Sequence, residues 1–149
     1  MPIKSFRGRI EDGQIETIAL HTNDGSTGYK IHKFECMTDG FGNSEMVIKI
    51  FSIPQTSTSN TIDFSDNTLL AACMISSSSS DEANPEDRVI VFDNVTFNQD
   101  IHITAAVSSS SDKINYHLEL EQIKLALDQN TVATLKDIRN IEAQWANNI

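Results

Sequence analysis

Residues 113–120 read KINYHLEL and carry the clearest strand signal in this chain of 149 residues. Apolar side chains occupy every second position from Ile114 to Leu120, and polar side chains lie between them. Ile101–Val107 repeats the alternation, with His102 and Thr104 on its polar side. A period of two residues is typical of a β-strand with one buried face, so both stretches are predicted to be strands.

Further strands are predicted on both sides of this pair. Met46–Ile53 is apolar on both faces at several positions, which favours a central strand of a two-layer structure. Asp12-Gly13 lies between the first two predicted strands and indicates a tight hairpin. The other predicted strands are Lys4–Glu11, Gln14–His21, Gly28–Met37, Leu69–Ser76 and Arg88–Phe92.

Roughly eight or nine short strands at this spacing indicate a mainly β protein. We predict an antiparallel β-sandwich or jelly-roll-like domain over residues 1–128.

The residues after Leu127 follow a helical period instead. Asn130 or Thr131 can cap the start of a helix, because either side chain accepts a hydrogen bond from a free backbone N–H. We predict an amphipathic α-helix within residues 129–149, packed on the domain or on a neighbouring subunit. Its apolar stripe consists of Val132, Leu135, Ile138, Ile141 and Trp145.

The composition limits the partners of the protein. The formal net charge is −10, from 21 acidic and 11 basic residues, which argues against binding nucleic acid or an anionic membrane. Met1–Ser5 does not begin a signal peptide, and no apolar run approaches the ~20 residues of a membrane span. Synthesis in a cytoplasm is therefore expected.

No catalytic motif stands out among the reactive residues. His32, His102 and His117 occupy polar positions of strand patterns and are predicted to face solvent. Cys36 and Cys73 lie in apolar runs and are predicted to be buried thiols, with a disulfide between them left open. We therefore predict a protein that is not an enzyme and has no cofactor.

A metal site is not predicted either. The acidic stretch Asp81–Asp87 offers oxygen ligands for calcium, but its spacing does not match that of an EF-hand. Charged residues in such a loop are usually solvated, so calcium binding is kept only as an alternative hypothesis.

Several segments of the sequence, taken in order, resemble small virion structural proteins of marine tailed bacteriophages, particularly those infecting cyanobacteria. The resemblance covers nearly the whole chain, and its segments contain no catalytic or ligand-binding motif. They are Phe6–Ile10, Leu20–Ile31, Val91–Asn94, Phe97–Ile101, Leu118–Gln122 and Thr131–Asn140.

The resemblance implies a structural component of a virus particle. A capsid decoration or cement protein on the outer capsid surface is the first expectation, with the major capsid protein or other virion proteins as partners. A neck, tail or fibre component is the alternative. Self-association around a symmetry axis is also expected. A protein of this kind binds through complementary faces, and the candidates are the helix stripe and the basic residues Lys4, Arg7 and Arg9.

A β-sandwich that binds glycan or calcium during host attachment is the competing hypothesis. Exposed aromatic residues in loops would favour it, and Phe41, between two glycines, is the best candidate.

Overall fold

The fold is seen in a computed structural model that describes residues 2–22, 25–40, 45–76, 87–109 and 112–126. The described ranges contain strands, turns and loops but no helix, and the predicted helix at 129–149 lies outside them. These ranges contain eight strands: β1 (Ile3–Glu11), β2 (Ile15–Ile18), β3 (Thr27–Thr38), β4 (Met46–Phe51), β5 (Leu69–Ser76), β6 (Asp87–Phe92), β7 (Ile101–Val107) and β8 (Lys113–Lys124).

The strands form two antiparallel sheets. Sheet A has the order β1-β8-β3, and sheet B has the order β2-β7-β4-β5-β6. β8 is the centre of sheet A, since it pairs with β1 from Ile3↔Glu121 to Glu11↔Lys113 and with β3 on its other side. The prediction of a mainly β, antiparallel protein is confirmed.

One hydrophobic core joins the inner faces of the two sheets. Ile114, Leu118 and Leu120 of β8 are fully buried, as are Ile101 and Ile103 of β7 in the other sheet. Burying a side chain of this size contributes roughly 1.5–3 kcal/mol to folding. The apolar positions that predicted these strands are therefore the positions that hold the sheets together.

The predicted hairpin at Asp12-Gly13 is wrong. β1 pairs with β8 and β2 pairs with β7, so the turn carries the chain from sheet A to sheet B. Gly13 has a positive φ of 78°, and its N–H donates to the Ala105 carbonyl at 3.0 Å. Asp12 Oδ1 accepts from the Val107 N–H at 2.9 Å. These bonds attach the turn to β7, and each flanking strand joins a different sheet.

A disulfide between Cys36 on β3 and Cys73 on β5 links the two sheets, with the two Cα atoms 6.7 Å apart. Both cysteines are buried as predicted, and the disulfide that the sequence left open is present. The two cysteines are 37 residues apart in the chain, and only the packing of β3 over β5 brings them together.

The outer face of sheet B is partly covered. All six residues of β4 are buried, because the segment between β4 and β5 folds back over this strand. Lys49 Nζ donates to the Thr61 carbonyl at 2.8 Å and lies 5.4 Å from the Phe51 ring centroid. Burial lowers the pKa of Lys49.

The prediction that His102 faces solvent is wrong, since only 8% of this residue is exposed. It does point away from the core, opposite Thr17 on β2 and Phe51 on β4. Its Nδ1 lies 3.0 Å from Thr17 Oγ1, and burial lowers the pKa of the imidazole. His32 is exposed as predicted, and His117 is half-buried.

Candidate functional site

The outer face of sheet A presents a nearly continuous array of polar and charged side chains, which we call the charged face. Strand alternation places its residues in rows across the three strands, one row being Arg7, His117 and Glu35. The charged face consists of Ile3, Ser5, Arg7, Arg9 and Glu11 on β1, Lys113, Asn115, His117, Glu119 and Glu121 on β8, and Lys30, Lys33, Glu35 and Met37 on β3.

The charge of this face differs from that of the whole chain. It holds five of the 11 Lys and Arg residues but only four of the 21 Asp and Glu residues. The charged face is therefore slightly basic on a protein of net charge −10. Such a local reversal favours an acidic partner surface, because complementary potentials steer and orient association.

A shallow hollow of about 560 Å³ lies on the charged face. Met37 on its rim is 58% exposed, which places an apolar side chain beside the row of Arg9 and Asn115. Apolar and arginine side chains together are common at the centres of protein interfaces. The hollow is lined by Arg7, Gly8, Glu35, Cys36, Met37, Asn115, Tyr116 and His117.

Arg88 of β6 contacts two residues that line the hollow, Glu35 and Cys36. Its Nη1 donates to the Cys36 carbonyl at 3.0 Å, and its Nη2 lies 3.6 Å from Glu35 Oε2. Both side chains of the ion pair are about 40% exposed, so the pair adds at most about 1 kcal/mol. Its main consequence is electrostatic, because the positive charge of Arg88 offsets the negative charge of Glu35, which lies in the same row as Arg7 and His117.

The structure brings together two of the three predicted basic residues. Arg7 and Arg9 share the charged face, and neither forms an ion pair with another described residue. Lys4 pairs in register with Leu120 and therefore belongs to the opposite side of β1, with its Nζ 5.9 Å from the Tyr29 ring centroid. The predicted contacts Val132, Leu135, Ile138, Ile141 and Trp145 lie outside the described residues.

Sequence reasoning missed an apolar strip on the outer face of sheet B. Met74 is 41% exposed, and its cross-strand neighbour Val89 is 61% exposed. Val91, two residues along the same strand, is 43% exposed. The apolar run Val89–Phe92 had indicated a strand, but nothing in it shows that the strand lies at the edge of a sheet.

A second cleft, of about 510 Å³, opens on the outer face of sheet B. Val47, Met74 and Ala106 contribute apolar atoms to it, and Asp12, Glu45 and Asn60 are among its polar residues. The arrangement of an apolar surface with polar groups around it is typical of small-ligand sites.

A hydrogen-bonded pair of titratable residues, His21 and Asp100, lies elsewhere, next to the start of β7. His21 Nδ1 lies 2.6 Å from Asp100 Oδ1, which also accepts from the Leu20 N–H at 2.8 Å. Partial burial raises the pKa of Asp100, but the hydrogen bonds from His21 and Leu20 outweigh it, so this pKa is lower than usual. The pair joins a loop to the start of β7.

The described residues contain no group of three or more His, Cys, Asp and Glu placed to hold a metal ion. Residues 81–86 of the acidic stretch fall outside the described ranges, as does Phe41, so calcium binding by this stretch and glycan binding by Phe41 stay predictions from the sequence. No helix in the described part of the chain is long and apolar enough to cross a membrane.

No protein family, curated protein or solved structure matches the chain in sequence or fold.

Proposed function

We propose that this chain is a non-enzymatic structural protein of a tailed bacteriophage particle that decorates the outer surface of the capsid. The charged face is the observation that carries the proposal, because it offers a broad binding surface in place of a reactive cluster. The sequence resemblance to phage virion proteins supports the same role.

The strand order supports a jelly-roll sandwich as the finer description of the fold. β1 pairs with β8, β2 pairs with β7, and β4 pairs with β5. These nested antiparallel pairs match the strand pairing of a jelly roll, with the difference that β6 pairs with β5 instead of β3. Jelly rolls are used in viral capsid and lectin domains.

The dimensions of the charged face suit a protein partner. The face runs along the nine residues of β1 and the residues of β8 that pair with them. At about 3.4 Å per residue it is about 30 Å long, and three strands about 4.8 Å apart give a width of about 14 Å. The resulting area of roughly 400 Å² is about half of the ~800 Å² that each partner contributes to a standard interface, which is enough for its centre. The surface of the major capsid protein that receives it is expected to be acidic.

Mass spectrometry of purified particles tests the role directly, and absence of the chain from particles would refute it. Binding of the purified protein to capsids that lack it then tests whether the charged face makes the contact with the capsid. Arg7→Glu and Lys33→Glu, on different strands of the charged face, are each expected to weaken binding at least tenfold. Lys124→Glu changes the charge equally, at the far end of β8, and is expected to bind as the wild type does. Equal binding by all variants would exclude the charged face.

A glycan-binding role in host attachment is the second candidate, favoured by the cleft on sheet B. Asp12, Glu45 and Asn60 offer the acceptors and donors that sugar hydroxyls need, beside the apolar Val47 and Met74. A glycan array probes this role. A signal that Asn60→Ala abolishes would favour attachment, whereas the decoration role predicts no signal.

A further inference from the structure

We propose that the Cys36–Cys73 disulfide is a redox-sensitive latch between the two sheets, and that thiols reach it between β3 and β6, past the side chain of Arg88. The bond joins β3 of sheet A to β5 of sheet B. The inference concerns the fold itself and goes beyond the proposed structural role.

The disulfide lies close to one side of the sandwich. In the described part of the chain, β3 is the last strand of sheet A and β6 is the last strand of sheet B, and the two strands contact each other. Cys36 is on β3 itself. Cys73 is on β5, one strand from the end, with Ile48 and Ile90 as its cross-strand neighbours. The side on which β3 and β6 meet is therefore the shortest way from solvent to the bond.

The cover over the disulfide is thinnest on this side. Cys36 is 1% exposed and Cys73 is 0% exposed, so a thiol can attack neither sulfur until part of the structure opens. Ile48, on the β4 side of Cys73, is fully buried, whereas Ile90, on the β6 side, is only partly buried. Arg88, two residues before Ile90 on β6, is exposed. Access from this side therefore requires the movement of few side chains.

Arg88 holds this side closed through two contacts with β3. Its Nη1 donates to the Cys36 carbonyl at 3.0 Å, and its Nη2 lies 3.6 Å from Glu35 Oε2. Water competes for ion pairs between exposed side chains, so such contacts add little to stability. Local openings of this kind occur far more often than unfolding of the whole domain. Arg88 therefore controls access to the disulfide while contributing little to the stability of the core.

The latch opens by thiol–disulfide exchange. A thiolate of the reductant attacks Cys36 Sγ, the bond to Cys73 breaks, and the Cys73 sulfur leaves as a thiolate that takes up a proton. A second thiolate of the reductant then attacks the mixed disulfide, so Cys36 is also released as a thiol. The two electrons come from the reductant, which ends as a disulfide. A low-molecular-weight disulfide closes the latch by the reverse steps.

The reduced protein is expected to stay folded. A buried cysteine behaves as a small apolar side chain, and burial favours its neutral thiol form, so the core accepts both residues. The sheets then lose their covalent link, and β3 becomes more mobile. Glu35 and Met37 flank Cys36 and belong to the charged face, so reduction is also expected to weaken binding by that face. This last consequence rests on the proposed function, whereas the latch does not.

The rate at which dithiothreitol reduces the full chain under native conditions tests the latch. Free thiols are alkylated at intervals and counted by mass spectrometry. Arg88→Ala is expected to speed reduction by about tenfold or more while the urea midpoint of the oxidised protein stays nearly unchanged. Arg9→Ala removes the same charge from β1, which β8 separates from β3, and is expected to be reduced at the wild-type rate.

Ile101→Ala separates local opening from global unfolding. Ile101 is fully buried on β7, so the variant is less stable throughout but keeps the contacts of Arg88. Its reduction is expected to stay within about twofold of the wild-type rate. Fast reduction of Ile101→Ala together with an unchanged rate for Arg88→Ala would overturn the route past Arg88.

Two results would overturn the latch as a whole. One is a wild type with two free thiols before any reductant is added, and the other is reduction that begins only where urea unfolds the protein. Capsid binding before and after reduction tests the effect on the charged face. Equal binding would refute that effect alone, whereas a chain missing from particles would refute the structural role itself.

Discussion

Replacing Tyr116 by Phe removes one oxygen atom from the contact between the two sheets. The Tyr116 hydroxyl on β8 donates to Glu16 Oε2 on β2 at 2.6 Å. Gly8 on β1 allows this arrangement, since a Cβ atom at that position would lie 2.9 Å from the Tyr116 hydroxyl oxygen. The bond therefore depends on three strands, two in sheet A and one in sheet B.

The magnitude follows from the charge of the acceptor. A hydrogen bond to a charged group contributes about 1.5–3 kcal/mol. Tyr116 is only 6% exposed, but Glu16 is half-buried and regains some hydration in the variant. We expect Tyr116→Phe to lower the free energy of unfolding by about 2 kcal/mol, which corresponds to a Tm about 4–8 °C lower for a domain of this size.

The bond also predicts a pH dependence. Burial, with the hydrogen bond to Glu16, raises the pKa of Tyr116, so the folded protein keeps the neutral phenol where the unfolded chain ionises, near pH 10. The stabilisation from Tyr116 is therefore complete below about pH 10. It is lost as the pH rises above that value, by up to about 1.4 kcal/mol per pH unit.

Urea unfolding between pH 7 and pH 11, followed by circular dichroism, measures both effects. The wild type and Tyr116→Phe are expected to differ most at pH 7 and to converge as the pH approaches 11. Tyr29→Phe is the matched control, because this buried tyrosine contacts Phe97 and leaves the Glu16 bond intact. A constant difference across the pH range, or an equal effect of Tyr29→Phe, would refute the reasoning.

Three other substitutions test the core, the disulfide between the sheets and the His21–Asp100 pair. Leu118→Ala removes a fully buried side chain of β8 and is expected to cost about 2–5 kcal/mol in urea unfolding, against less than about 0.5 kcal/mol for the exposed Val89→Ala. Replacing Cys36 and Cys73 by Ser removes a disulfide that spans 37 residues. The unfolded chain is then less restricted, so the free energy of unfolding is expected to fall by about 3–4 kcal/mol. An unchanged denaturation midpoint would show that the disulfide is not formed in solution. Asp100→Asn is expected to be less stable than the wild type at neutral pH, with a difference that shrinks below about pH 4, because the lowered pKa of Asp100 stabilises the fold only while the carboxylate is ionised.

The period of the apolar residues is enough to predict most of the strands. Ile114–Leu120 and Ile101–Val107 alternate as half-buried strands do, and the structure buries their apolar sides. The partner of each strand could not be predicted in the same way, because pairing is a relation between distant segments. Asp12-Gly13 shows the limit, since a local turn signal is equally suited to a hairpin and to a crossing between sheets.

The candidate site was predictable only in part, because it depends both on the alternation within a strand and on which strands pair. The three basic residues of β1 are visible in the sequence, and alternation alone separates Lys4 from Arg7 and Arg9. The charged face also needs Lys30, Lys33 and Lys113, whose neighbourhood arises only when β3 and β8 pair.

Local chemistry in the sequence thus determined which segments become strands and which of their sides face the core, since both depend on the spacing of side chains along one extended backbone. Only the tertiary structure decided that Cys36 meets Cys73, that His102 is buried, and that β6 lies at an edge with Val89 exposed. These outcomes depend on which strands become neighbours across the sheets, and that arrangement is selected by the total burial of the core.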